Sequence, residues 1–433
     1  MSLSVYNAQF IKKGPGLQLS KPWGKGTKDA KKLDLAHIEA SLRPIFRLSK
    51  YVGLTPYSLS TLRTTRYGRI QTVLVILFIS SLNTYMFLRD WREVGWARKS
   101  LSAGFVGCCE LLLLNAAACL DLAYNLLFSE RKKDLLRKLY SVNLRMRVFG
   151  LHPKRDVLTE RLENYVAAAF IACQIALDSH VLFSCKCEEF VPLILSYPAY
   201  IILFISFFQY VKVLTAVRLK FECVNATLLE QLAANETRWT RHRQYLWARC
   251  WSASVQPLVT AHALLRQTCR QLNLAFGPET LAIFAVVFII VTSNSYYTIY
   301  LALRKAAEED AFFNLYYGCF TVALLATISY VVGKTSAVCM QANSTARIIH
   351  QLLLSNVRDK VKNELQLFSL QLIHEKVNFT ACGFFPLDLS VLFNTISSVV
   401  TYLIILIQLQ ISTQESSVFK VAMKNNATAA TAQ

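Results

Sequence analysis

The sequence predicts an all-α, polytopic membrane protein with seven membrane-crossing helices, its amino terminus cytoplasmic and its carboxyl terminus extracellular. Three observations lead there. Apolar residues make up 54% of the 433 and charged residues 17%, against about one quarter charged in soluble domains. The apolar residues fall in long uncharged runs, which a bilayer core of about 30 Å requires of its helices. The formal net charge of +20 sits in the segments between the runs, and alternate segments carry most of it. This pattern excludes a soluble nucleic-acid binder and a disordered chain.

The spans follow in order. Residues 1–69 are polar and basic, show no secretory signal peptide and form a cytoplasmic segment. Four spans occupy 70–217, at 70–88, 101–128, 165–183 and 190–211. The second contains Glu110 and Asp121, and the third contains Asp178. The fourth run continues to 217, about 42 Å of helix, so it extends past the membrane. Residues 218–278 form a cytoplasmic loop with helical spacing of Leu228, Leu229, Leu232, Leu264, Leu265 and Leu272. Spans five and six, at 280–303 and 311–333, lie within 279–333. Residues 334–383 hold an amphipathic stretch, with Leu353, Val357, Val361, Leu365, Phe368 and Leu372 on one side. The seventh span, 389–414, lies within 384–414, and 415–433 form an external tail.

Loop charge sets the orientation. Segments 1–69, 129–164, 212–279 and 334–388 hold 38 of the 47 Lys and Arg residues, and the opposite side holds 9. Lys and Arg stay cytoplasmic. A rhodopsin-like receptor would be inserted the other way round, and its Asp-Arg-Tyr and Asn-Pro-x-x-Tyr motifs do not occur at the expected spans. Of the N-x-Ser/Thr triplets, those at Asn225, Asn235, Asn343 and Asn378 lie in predicted cytoplasmic loops and read as chance. Asn426 lies on the external tail and is the glycosylation candidate.

Enzyme motifs fail on spacing. Gly24-Lys25-Gly26-Thr27 lacks the upstream glycine of a phosphate loop, and Cys185-Lys-Cys187 has no second pair for zinc. The seven histidines are scattered. No cofactor, metal site or enzymatic activity is expected. The expected surroundings are the lipid bilayer, and no nucleic acid.

Polar and aromatic residues gather in the outer halves of the spans. They include Asn83, Glu110, Asp178, Tyr197, Tyr200, Asn294, Tyr297, Asn314 and Tyr317. Clusters at one depth on several helices suggest a pocket open to the outside. Any single tyrosine also fits an interfacial belt. Glu110 and Asp178 fit either the pocket or a structural pairing between helices, and as coupling acids they would suit a transporter. In the seventh span Asn394, Ser397 or Ser398, Thr401, Ile404 or Ile405, and Gln408 recur at steps of three or four. That face suits a water-filled pore with a dry constriction, or polar packing between helices.

Thr401-Tyr402, five hydrophobic residues and Gln408 resemble the terminal signature of the insect gustatory receptors, Thr-Tyr-(hydrophobic)5-Gln-Phe. The preceding 379–388, Phe-Thr-Ala-Cys-Gly-Phe-Phe-Pro-Leu-Asp, resembles that family's lead-in to its last span. The resemblance implies a tetrameric channel architecture, a homotetramer or a heteromer with related receptors, in the plasma membrane of sensory neurons. It implies a nonselective pathway for Na⁺, K⁺ and Ca²⁺, opened by a small-molecule tastant in an outer pocket. Thr401, Ile405, Gln408 and Leu409 take the pore and gate positions, with Leu409 where the family has Phe. The sugar-sensing branch carries an acid after Thr-Tyr; Leu403 stands there, so a bitter or other non-sugar ligand is expected. A sugar (fructose-type) channel and a metabotropic seven-helix receptor are the alternative readings.

Overall fold

The computed structural model describes residues 42–58, 61–96, 101–148, 151, 157–184, 191–236, 255–303, 308–354 and 359–430. Ten helices make up nearly all of it. They are α1 (Leu42–Tyr51), α2 (Arg66–Trp96), α3 (Leu101–Leu127), α4 (Ser129–Val148), α5 (Val157–Ser184), α6 (Val191–Glu236), α7 (Gln256–Leu303), α8 (Glu308–Leu354), α9 (Asp359–His374) and α10 (Leu389–Ala430). A two-strand hairpin, β1 (Thr380–Ala381) with β2 (Phe385–Pro386), leads into α10.

Six of the described helices, α2, α3, α6, α7, α8 and α10, are long and apolar enough to cross a membrane. The expected third span lies on α5, many of whose side chains fall outside the described residues. Helices α6, α7 and α8 have 46, 48 and 47 residues. At 1.5 Å per residue each is about 70 Å long, twice the hydrocarbon thickness. The amphipathic stretches therefore continue three of the spans as unbroken helix. The amphipathic stretch expected within 334–383 is divided accordingly: α8 runs on to Leu354, and α9 supplies Leu365, Phe368 and Leu372 to the core.

Side-chain pairs fix the packing. Asn125 near the end of α3 bonds Glu279 midway along α7, whereas Glu110 near its start meets Ser293 further on, so α3 and α7 are antiparallel. Tyr200 packs edge-on against Phe320 near the starts of α6 and α8, and Asn225 bonds Gln341 near their ends, so these two run parallel. The most continuous core joins the extended ends. There Val213, Leu214, Val217, Phe221 and Leu228 of α6 meet Leu258, Leu265 and Leu272 of α7, Ile349 of α8 and Phe368 of α9. Asn225 is 4% exposed and bonded to Gln341 and Thr345, which seals that sequon inside this core.

Proline shapes α7. Pro278 lacks the N–H that would bond the Leu274 carbonyl, and the Tyr124 hydroxyl of α3 donates to that carbonyl at 2.9 Å instead. Beside it, Gly277 lies against the hairpin turn, where a Cβ would just touch the Cys382 nitrogen at 3.4 Å. The turn itself takes two successive positive φ angles, 52° at Cys382 and 82° at Gly383, the second at a residue suited to it.

Candidate ligand pocket and conduction helix

The hairpin is tied down by reciprocal bonds. Asn273 of α7 and Thr380 exchange two hydrogen bonds of 3.1 Å, and so do Asn343 of α8 and Val377. Thr335 Oγ1 donates to the Leu387 carbonyl at 2.8 Å. Asp388 then caps α10 by accepting the Ser390 N–H at 2.9 Å. The entry of α10 is thereby fixed to α7 and α8.

One face of α10 packs inward. Val391 and Val399 are buried, Leu392 and Leu403 pack against the core, and Tyr402 meets Phe288 of α7 edge-on at 5.8 Å. Asn394, Ser397, Thr401, Ile404, Ile405, Gln408 and Leu409 are exposed. The polar stripe read from spacing is thus a face that this chain leaves uncovered. Asn426 lies on the helical continuation of α10, and its side chain is outside the described residues.

At the end of the bundle away from the hairpin, Glu110 of α3 accepts a hydrogen bond from Ser293 of α7. Tyr297 of α7 stacks on Tyr317 of α8 at 5.7 Å and 20°, with Tyr296 edge-on to Tyr297 at 5.8 Å. Asn294 is 3% exposed. The structure places Glu110, Asn294, Tyr297 and Tyr317 at this same end of the bundle; the side chains of Asp178 and Asn314 lie outside the described residues.

Among the described residues, the buried polar atoms of this half without a hydrogen-bond partner include Asn83 Oδ1 on α2, Tyr197 OH on α6, Asn294 Nδ2 on α7 and Thr321 Oγ1 on α8. An unsatisfied buried polar group costs about 1–3 kcal/mol. These atoms leave hydrogen-bonding capacity that an outside partner could satisfy. Sequence reading found the first three through their clusters. It missed Thr321, a lone hydroxyl among apolar residues.

Two charged clusters also escaped it, since their members are far apart in sequence. In the first, Glu279 accepts from Lys132 at 2.7 Å, Asn125 at 2.9 Å and Ser206 at 2.8 Å, and Asn125 also bonds Asp121 at 2.8 Å. Lys132 lies over the Phe276 ring at 4.4 Å. These residues link α3, α4, α6 and α7 beside Pro278. In the second, Glu163 of α5 accepts from Lys212 at 2.8 Å, Thr215 at 3.2 Å, Tyr330 at 3.1 Å and Lys334 at 2.6 Å.

Burial pushes the Glu163 carboxyl up, but the hydrogen bonds and charges of Lys212 and Lys334 outweigh it and hold the group below its ordinary value. A carboxyl depressed on folding stabilises above its unfolded pKa of about 4.3, and that stability is lost as pH falls through the lower folded value. The purified protein's melting temperature is expected to lose this contribution only below pH of about 4.3. Glu163→Gln is expected to melt lower at pH 7 and to show a shallower acid dependence. Parallel acid profiles for the two proteins would remove Glu163 as the cause.

The arrangement defines a multi-pass helical membrane protein with a polar interior at one end and a partly uncovered polar helix. A family model described as 7tm chemosensory receptor matches residues 42–413. The chain belongs to that family, which contains the gustatory receptors of insects. It is 34% identical over 159 residues to putative gustatory receptor 28b of Drosophila melanogaster, covering 36% of this chain and 34% of that one. It is 27% identical over 166 residues to the same organism's gustatory receptor for bitter taste 66a, covering 37% and 31%. The matches thus span about a third of these relatives' lengths. The olfactory receptor OR5 of Machilis hrabei, in complex with eugenol, shares the fold, with a TM-score of 0.60 at 12% identity over 87% of this chain and 100% of that one.

Proposed function

We propose that the protein is a gustatory receptor that works as a ligand-gated, nonselective cation channel in the plasma membrane of sensory neurons. The observation that carries this reading is the polar stripe of α10, exposed in the single chain. Four copies of α10 facing one another would enclose water and cover that face, as a homotetramer or with related receptors. Gln408 and Leu409 then form the gate, with Thr401 and Ile405 deeper in the lining. The hairpin end of the bundle is cytoplasmic in this reading, as loop charge requires. Na⁺, K⁺ and Ca²⁺ are the permeating ions.

The tastant occupies the opposite end, among Glu110, Asn294, Tyr297 and Tyr317, with Asp178 and Asn314 as further candidates. The unpartnered atoms of Asn83, Tyr197, Asn294 and Thr321 supply hydrogen bonds to it. Binding favours the open arrangement and shifts the population toward it. Helix α7 is the direct link: Phe288, packed on Tyr402, lies about 9 Å along the helix from Asn294. Leu403 after Thr401-Tyr402 supports a bitter or other non-sugar ligand. The relatedness to a bitter-taste receptor and, at 39% identity over 90 residues, to gustatory and pheromone receptor 32a of Drosophila melanogaster supports it too.

Whole-cell recording in a heterologous cell, against a tastant panel and with G-protein signalling blocked, tests the assignment. Asn294→Ala should raise the half-maximal tastant concentration about tenfold, the worth of one hydrogen bond near 1.4 kcal/mol, and leave maximal current unchanged. Unaltered potency would show that the ligand sits elsewhere.

A further inference from the structure

Three span ends converge on the Glu163 cluster. Glu163 precedes the third predicted span by two residues, Lys212 follows the fourth by one, and Lys334 follows the sixth by one. The Glu163 carboxylate already accepts from Lys212, Thr215, Tyr330 and Lys334. Arg218 lies three residues beyond Thr215 on the same side of α6, and its charge reaches the Tyr330 hydroxyl. Among the described side chains, two ammonium groups thus share the Glu163 carboxylate, and the Arg218 guanidinium lies near by. The Arg218 Nε is buried and has no hydrogen-bond partner. The cluster lies beside an apolar outer face, since Tyr330 is 42% exposed and Leu162, Tyr165 and Val166 of α5 are 60% exposed or more.

An unpaired guanidinium N–H near a mostly buried lysine calls for an anion with several acceptor oxygens. Apolar residues alongside call for an acyl chain. We propose that Arg218 and Lys334, backed by the field of Lys212, bind the phosphorylated headgroup of a phosphoinositide between α5, α6 and α8. The leaflet follows from the orientation proposed above: this end faces the cytoplasm, where such lipids reside, and basic pockets between membrane helices recognise them. Glu163 holds the two lysines in place, and the phosphate balances the remaining charge. The lipid fastens α5 to α6 and α8.

The test uses the full-length receptor in detergent, with a fluorescent short-chain phosphatidylinositol 4,5-bisphosphate as probe and binding as readout. It needs neither tastant nor current, so its result is independent of whether the channel reading holds. Saturable binding to the wild type, weakened about tenfold or more by Arg218→Gln with melting temperature and elution profile unchanged, is expected. Lys334→Gln should weaken it as well, and Arg218→Gln decides alone where that second variant fails to fold. Short-chain phosphatidylserine should compete poorly. Inositol 1,4,5-trisphosphate and inorganic phosphate should compete less well than the lipid. Absent binding, or equal binding by Arg218→Gln, overturns the site. Equal competition by phosphatidylserine overturns the phosphoinositide assignment, and full competition by the chainless phosphates overturns the lipid.

Discussion

Leu409→Ala is expected to leave the channel partly open without ligand, with resting current raised about tenfold or more at equal surface expression. Leu409 is 56% exposed in the single chain, next to Gln408 of the polar stripe. In the proposed assembly four copies meet there and exclude water. Burying a leucine side chain is worth about 1.5–3 kcal/mol. Losing that from the closed state multiplies the open-to-closed ratio by at least about ten. Leu409→Phe restores the residue type of the family signature and should keep the pore closed at rest. Resting current in Leu409→Ala equal to wild type, with normal surface labelling, would move the gate away from this position.

The second large effect concerns folding. Glu279 and Lys132 are 2% exposed, and their ion pair is 2.7 Å long. Glu279→Ala leaves a buried ammonium without its anion and takes the acceptor from Asn125 and Ser206. Breaking such a pair costs about 3–5 kcal/mol, a large part of a typical folding free energy. Surface labelling should fall to a small fraction of wild type. Replacing both members, Glu279→Gln with Lys132→Met, removes the charge and its counter-charge together, so the double variant should recover part of the loss. A double variant no better than Glu279→Ala would mean that Glu279 acts through Asn125 and Ser206 rather than Lys132.

Spans were legible because each is a local property of about twenty successive residues. The α10 stripe was legible for the same reason, since a period of three to four places Asn394, Thr401 and Gln408 together. Charges within apolar runs pointed to Glu110 and Asp121, but their partners stayed hidden. Ser293 lies more than 180 positions from Glu110, and Glu279 meets Asn125 across 154. Only the antiparallel packing of α3 and α7 joins them. Glu163, Lys212 and Lys334 each read as an ordinary charge at a span boundary. Their meeting depends on α5, α6 and α8 packing at one depth, which spacing along the chain does not encode. The continuity of α8 from Glu308 to Leu354 was hidden for a different reason: periodicity marks where exposure changes along a helix, and the helix itself continues through that change.

The account rests on α10 lining an aqueous, ion-conducting path, and cysteine accessibility measures this directly. Val399 is 7% exposed and packs inward, whereas Thr401 is exposed on the stripe. During tastant-evoked current, a charged methanethiosulfonate reagent applied from outside should block Thr401→Cys rapidly and leave Val399→Cys unaffected. Block of Thr401→Cys should require the tastant, because the path is shut without it. Equal insensitivity of both variants, with robust current and confirmed surface expression, would show that the ions travel through another part of the membrane, and would contradict the account.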